Sequence, residues 1–176
     1  RRRHTRYPLV TGVQTCALPI WLHSSERFQT VHDLEKLLQK APLSTYSAIL
    51  LPAALPVYDL AGATDLAGHK LSREKWPGHL PGIRLELKPA PRILNRIRTL
   101  ALQSKIIGWK WEAEGTKAEA VDSARSQITE CRTDACILNG PAYGEGYLFV
   151  PAQRDPTPCP DPVTLGNVIA SFLRNG

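Results

Sequence analysis

The chain has 176 residues, 43% hydrophobic and 22% charged, enough apolar material for the core of one domain. No apolar run is long enough to cross a membrane as a helix. The formal charge of +6 would favour an acidic partner, but Arg1, Arg2, Arg3 and Arg6 crowd into the first twenty positions with no acid among them; the rest holds 18 basic and 16 acidic residues, and a nucleic-acid partner loses its support.

The opening RRRHTRYPLVTGVQTCALPI has neither helical nor strand periodicity. It resembles translated sequencing-adaptor sequence, so residues 1–20 are expected to be non-native. The chain contains no methionine, which with this start predicts a reading frame cut at its 5′ end; a processed N-terminus is the alternative. Regular patterning begins near Phe28. Val31, Leu34, Leu37 and Leu38 fall at helical spacing behind Thr30 as N-cap, and Pro42 stops the helix. Residues 46–54 are a short apolar run that reads as a buried parallel strand. Residues 55–82 read as a loop followed by a short hairpin or flap, and residues 83–88 alternate as a half-exposed strand.

Pro91 suits the first turn of a helix with Ile93, Leu94, Ile97, Leu100 and Ala101 on one face. A strand over 105–109 follows, then a helix from Thr116 to Cys131 with Ala120, Val121, Ala124 and Ile128 inward. Strands are expected over 134–139 and 146–150, an irregular Pro-rich stretch over 151–162, and a closing helix over 163–173. This alternation predicts an α/β fold, a Rossmann-like three-layer sandwich with a flap inserted after a central strand. No GxGxxG or GxxxxGK[ST] is present; a Gly-rich phosphate loop would fall before Phe28, so the sheet is expected to be incomplete. Cys16 lies in the suspect segment. Cys131, Cys136 and Cys159 lack CxxC spacing and a paired His, which argues against a metal site or a disulfide framework; Cys131 and Cys136 read as buried thiols of a reducing compartment.

Five stretches carry a family resemblance. Residues 47–58, SAILLPAALPVY, resemble the "DAVIMAAAVADY" strand and turn of phosphopantothenate–cysteine ligases. Residues 69–73, HKLSR, resemble that family's K-x-K-K flap. Residues 85–94 resemble its strand followed by "TPDIL", residues 107–112 its "VGFAAE", and residues 134–139 its "DLIVAN". They occur in the family's order and cover about residues 28–176. Residues 21–176 are thereby expected to be the C-terminal part of a ligase-like domain, with the flap at about 61–88.

The resemblance implies a reaction of coenzyme A biosynthesis. A nucleoside triphosphate, CTP or ATP, activates the carboxylate of 4′-phosphopantothenate; pyrophosphate leaves, and the amine of cysteine displaces the nucleotide. It also admits Mg²⁺, and FMN only if a decarboxylase domain precedes. It implies a cytoplasmic homodimer. Lys70 matches the flap lysine that would act on the triphosphate, with Arg73 as a second charge. Ala53 and Ala54 match small residues beside the nucleotide, Trp109 an aromatic near the base, and Asn139 the Asn that ends a central strand. Each also has a plainer reading: solvated lysine, packed alanines, core Trp, turn-forming Asn.

The chain departs from the family at several points. Val57 stands at the Asp of "AVADY", Arg92 at the Asp of "TPDIL", Lys110 and Trp111 at the two alanines of "VGFAAE", and Gly140 at the Asp that follows "DLIVAN". The alternative reading is therefore a degenerate ligase-like binding or dimerisation module without catalysis. A generic Rossmann-like nucleotide binder is a third. On any reading the 176 residues by themselves are expected to be inactive, because the family's first strands are missing.

Overall fold

The computed structural model describes Phe28 and residues 30–53, 55–72 and 76–175. The adaptor-like segment lies outside them. Two compact units are present, one built from residues 55–92 and the other from the flanking chain.

The larger unit is a five-stranded sheet with helices on both faces, the Rossmann-like α/β layering expected from the sequence. Its first helix, α1 (Val31–Lys40), begins where Thr30 and Asp33 cap each other: Asp33 N donates to Thr30 Oγ1, and the Thr30 amide and hydroxyl both donate to Asp33 Oδ2. After a 3₁₀ turn at Leu43–Thr45 comes β1 (Ala48–Leu50), cut short ahead of Pro52. Helix α2 (Ile93–Leu100) buries Ile93, Ile97 and the following Ala101, an i, i+4, i+8 stripe; Leu100, expected on that face, is exposed. Strand β4 (Lys105–Trp111) leads to α3 (Lys117–Cys131), whose start repeats the reciprocal cap with Thr116 and Glu119.

Strands β5 (Ala135–Gly140), β6 (Gly144–Pro151) and β7 (Thr157–Cys159) precede α4 (Pro162–Arg174), which Asp161 caps through the amides of Val163 and Thr164. The sheet order is β1-β4-β5-β6-β7; β1, β4 and β5 are parallel and the β6–β7 side is antiparallel. Strand β7 corrects the irregular reading of 151–162. Its Pro158 is accommodated because β7 is the outermost strand.

Strand alternation divides the core. Cys136, Leu138, Leu148 and Val150 pack on Ala120, Ala124 and Ile128 of α3. Ile107, Ala135, Ile137 and Phe149 face the other way, toward Leu165 and Phe172 of α4. On the α3 face, Gly108 allows two helices to close over β4: a Cβ there would lie 2.5 Å from Gln127 Nε2 and 3.2 Å from Leu94 Cδ1.

The smaller unit is an antiparallel ribbon of β2 (Tyr58–Asp65) and β3 (Ile83–Pro89). Its register places Leu60 opposite Leu87 and Ala63 opposite Leu85, while Asp59 faces Lys88 and Thr64 faces Arg84. The strand at 58–65 lies in the stretch that reads as a loop followed by a short hairpin or flap, with no strand placed within it. A bulge between Leu60 and Gly62 shifts the register and breaks the period-two alternation by which a strand is recognised.

At the amino ends of β4 and β5, one guanidinium gathers several chain segments. Arg98 pairs with Asp134 at 2.6 Å and donates to the carbonyls of Arg132 at 2.7 Å and Ser104 at 3.1 Å. Asp134 Oδ2 also accepts from the Ile106 amide at 2.7 Å. Both side chains are largely withdrawn from water, so removing one partner strands the other. Arg98→Met keeps the aliphatic stem and should lower stability by about 2–4 kcal/mol. A urea titration reads this as a lower midpoint with unchanged slope; an unchanged midpoint would show the knot to be dispensable.

Candidate functional site

In open α/β sheets ligands collect at the carboxyl ends of the parallel strands. Here those ends carry Ala53, just past β1, with Trp109 and Trp111 on β4 and Asn139 on β5. Leu51 N donates to Ile107 O, which holds the exit of β1 against β4, and Ala53 beyond it is half-buried. Trp109 is register-paired with Ile137 and packs, partly buried, at the border of the α4-side core.

Asn139 is register-paired with Trp111 and shares its face of the sheet. Its backbone carbonyl accepts from Glu112 N at 2.9 Å, but its side-chain Oδ1 is buried with no hydrogen-bond partner. An unpaired buried acceptor is uncommon and costs free energy until something donates to it. Ala54 and Arg73, the other two expected binding residues, lie outside the described residues.

Next to Asn139 the backbone is closed. Gly140 has φ +117°, and a Cβ there would stand 2.4 Å from the carbonyl oxygen of Glu112. The Ala142 amide donates to that same oxygen at 3.1 Å. The carboxylate that the family resemblance would place at 140 therefore has no room on this backbone. On the α3 face, Glu112 Oε1 accepts from Ser123 Oγ at 2.6 Å and lies 3.4 Å from Lys110 Nζ. Sequence reading passed over this acid, although it stands at the last position of the "VGFAAE"-like stretch.

Lys70 belongs to the 55–92 unit. Beyond β2 the chain turns at Asp65–His69 and runs back along the strand: Asp65 N donates to His69 O at 3.0 Å, Leu71 N donates to Ala63 O at 2.9 Å, and Lys70 bridges to Thr64. His69 Nδ1 lies 2.9 Å from Asp65 Oδ2, and hydrogen bonds from the His69 ring and amide hold the Asp65 carboxyl below the usual carboxylate range. Lys70 follows at once, with an exposed side chain. Val57 is 74% exposed, so no buried group occupies the place of the family's Asp. Asp59, two residues on, is paired across the ribbon with Lys88.

The cysteines take no part. Cys131, Cys136 and Cys159 are buried and form no disulfide. Burial pushes the Cys136 thiol up to about 12, against a small opposing pull from Lys110, so it is a neutral, inert thiol at ordinary pH. Among the described residues no three His, Cys, Asp or Glu side chains gather as a metal site, and no helix is long and apolar enough to cross a membrane.

No family model matches the chain. The coenzyme A biosynthesis bifunctional protein CoaBC of Thermococcus kodakarensis is 25% identical over 132 residues, 74% of this chain; the match spans only 30% of that protein's length. The DNA/pantothenate metabolism flavoprotein from Streptococcus pneumoniae superposes with a TM-score of 0.67 at 18% identity, over 84% of this chain and 72% of that one. The C-terminal domain of a coenzyme A biosynthesis bifunctional protein CoaBC gives 0.61 at 12% identity, over 86% and 66%. The chain shares its fold with these two solved structures. Within that fold, the strand ends of this chain carry Trp109 and Asn139, and backbone closes against position 140.

Two measurements check this geometry. Gly140→Ala combines a disfavoured φ with a backbone clash and should cost about 2 kcal/mol or more; a loss within a few tenths would mean that the Glu112 carbonyl yields freely. For Cys136 the folded pKa lies above its value of 9.0 in the free thiol. Its contribution is therefore complete below pH 9 and lost as pH rises toward 12, at about 1.4 kcal/mol per unit. Cys136→Ala should flatten the alkaline limb of the stability profile; an identical limb would assign that loss to other groups.

Proposed function

We propose that the chain is the C-terminal part of a domain that ligates cysteine to 4′-phosphopantothenate through an acyl-nucleotide intermediate. The carboxylate of 4′-phosphopantothenate attacks the α-phosphorus of CTP or ATP, pyrophosphate departs, and the cysteine amine displaces the nucleotide. Such chemistry asks the protein for positioning and for charge neutralisation more than for a nucleophile of its own. The observation that carries the reading is the unpartnered Asn139 Oδ1 at a parallel strand end, in a sheet with the ligase-like fold. Ala53, Ala54 and Trp109 line the nucleotide side in this reading, and Lys70 and Arg73 supply positive charge to the phosphates, with Mg²⁺ as a further cation. Residues at about 61–88 then serve as the flap. A cytoplasmic homodimer belongs to the same proposal.

One observation favours a second reading, a ligase-like module that binds or dimerises without catalysis. Gly140 excludes a side chain, and Val57 offers no charge where the family carries acids.

Pyrophosphate release by the full product of the gene, with 4′-phosphopantothenate, cysteine and CTP or ATP, separates the two. The ligase reading expects turnover that falls about a hundredfold in Lys70→Gln, the scale of one transition-state charge contact, and is partly restored in Lys70→Arg. Turnover equal to wild type in Lys70→Gln would remove the lysine from the reaction. A folded wild-type product that releases no pyrophosphate would establish the second reading.

A further inference from the structure

The turn after β2 is closed more firmly than a turn requires. Its backbone is already tied twice: Asp65 N donates to His69 O at 3.0 Å and Gly68 N donates to Asp65 O at 3.1 Å, with Gly68 at φ +94°. The Asp65 side chain then turns both its oxygens on one residue. Oδ1 accepts from His69 N at 2.9 Å, and Oδ2 lies 2.9 Å from His69 Nδ1. An ionised carboxylate can only accept, so Nδ1 carries the proton and donates. The imidazole is 80% exposed and the Asp65 side chain 18%, which makes the carboxylate the sheltered partner. The charged side chains that adjoin this clasp in register are Lys70, which bridges to Thr64, and Arg84, which pairs with Thr64 from β3; Glu86 stands one pair further along, opposite Gly62.

Lys70 directly follows His69. With Leu71 N donating to Ala63 O at 2.9 Å, residues 69–71 run antiparallel beside β2 as a short third strand. Paired residues of an antiparallel ribbon point to one face, so the Lys70 side chain leaves the face that carries Thr64 and Arg84. Its backbone is held while its side chain stays exposed. A lysine on a slack loop would have to order backbone and side chain together on meeting an anion; here only the side chain remains to be ordered. We infer that Asp65 and His69 are positioning residues for Lys70, clasping the turn so that the ammonium is presented from a fixed point of the flap. This inference rests on the ligase reading above, in which Lys70 meets the phosphates, and adds to it two residues that act through the lysine alone.

The test is pyrophosphate release by the full gene product carrying Asp65→Ala, Asp65→Asn or His69→Phe, each alone and combined with Lys70→Gln. Asp65→Ala should lower kcat about tenfold, the scale of one residue's backbone ordering, with KM unchanged, because the lost contact belongs to the transition state. Asp65→Asn keeps an acceptor for the His69 amide and should recover most of that loss. His69→Phe keeps the backbone bonds and should lose less than Asp65→Ala. In the Lys70→Gln background Asp65→Ala should have no further effect, whereas a merely structural clasp would lower turnover by the same factor in both backgrounds. Hydrogen exchange reads the clasp without turnover: the His69 and Leu71 amides should exchange faster in Asp65→Ala. Equal losses with and without Lys70, wild-type turnover in Asp65→Ala, or unchanged exchange at Leu71 would each overturn the inference and leave the ligase reading standing. If the folded wild-type product releases no pyrophosphate, the ligase reading fails and the inference with it.

Discussion

The Arg98 guanidinium fixes the parallel core from below. It joins the end of α2, the entry to β4 and the turn from α3 into β5 through Asp134 and the backbone carbonyls of Ala101, Leu102, Ser104 and Arg132. Asp134 in turn is locked to β4, since its amide donates to Ile106 O while its carboxylate accepts from Ile106 N. Register follows from this double contact. A slip of one residue would send every side chain of a strand to the opposite face, exchanging Gly108 for a bulky neighbour under the two helices and turning Asn139 away from Trp111. The arrangement at the carboxyl end is therefore set some five residues away, at the amino end, by an ion pair whose fork geometry a lysine would not reproduce.

The opposite end is closed by backbone. Glu112 and Gly140 meet main chain to main chain, with Asn139 O and Glu112 O each taking an amide across the gap. This contact stiffens the rim without introducing negative charge. Position 140 therefore adds no carboxylate to the strand ends, and the nearby Glu112 is engaged by Ser123 and Lys110 on the α3 face.

Much of the layering was legible because its signals are local. The caps at Thr30 and Thr116 and the Ala120–Ala124–Ile128 stripe depend on neighbours three or four residues away. Strand β2 was missed because its bulge destroys alternation, and β7 because a three-residue edge strand containing Pro158 looks irregular in isolation. Leu100 was misplaced because the buried stripe of α2 narrows to one row at its end. At the site, sequence similarity alone brought Ala53, Trp109 and Asn139 forward, and nothing in composition or periodicity distinguishes them. The unpaired Oδ1, the exposure of Trp111 and the closure at Gly140 are products of long-range register, which no local pattern encodes.

Unpaired buried oxygens are not in themselves evidence of binding, since Asn95 Oδ1 and Thr133 Oγ1 share the condition. Their surroundings differ. Thr133 sits at the amino end of β5 beside the Arg98 knot, and Asn95 lies within α2. A residual hydrogen-bond deficit of about 1–3 kcal/mol at such places is simply carried by the fold. Asn139 alone of the three lies at the end of a parallel strand next to an uncovered indole. There the deficit stands beside exposed apolar surface, whereas the other two sit inside or under packed elements of the fold.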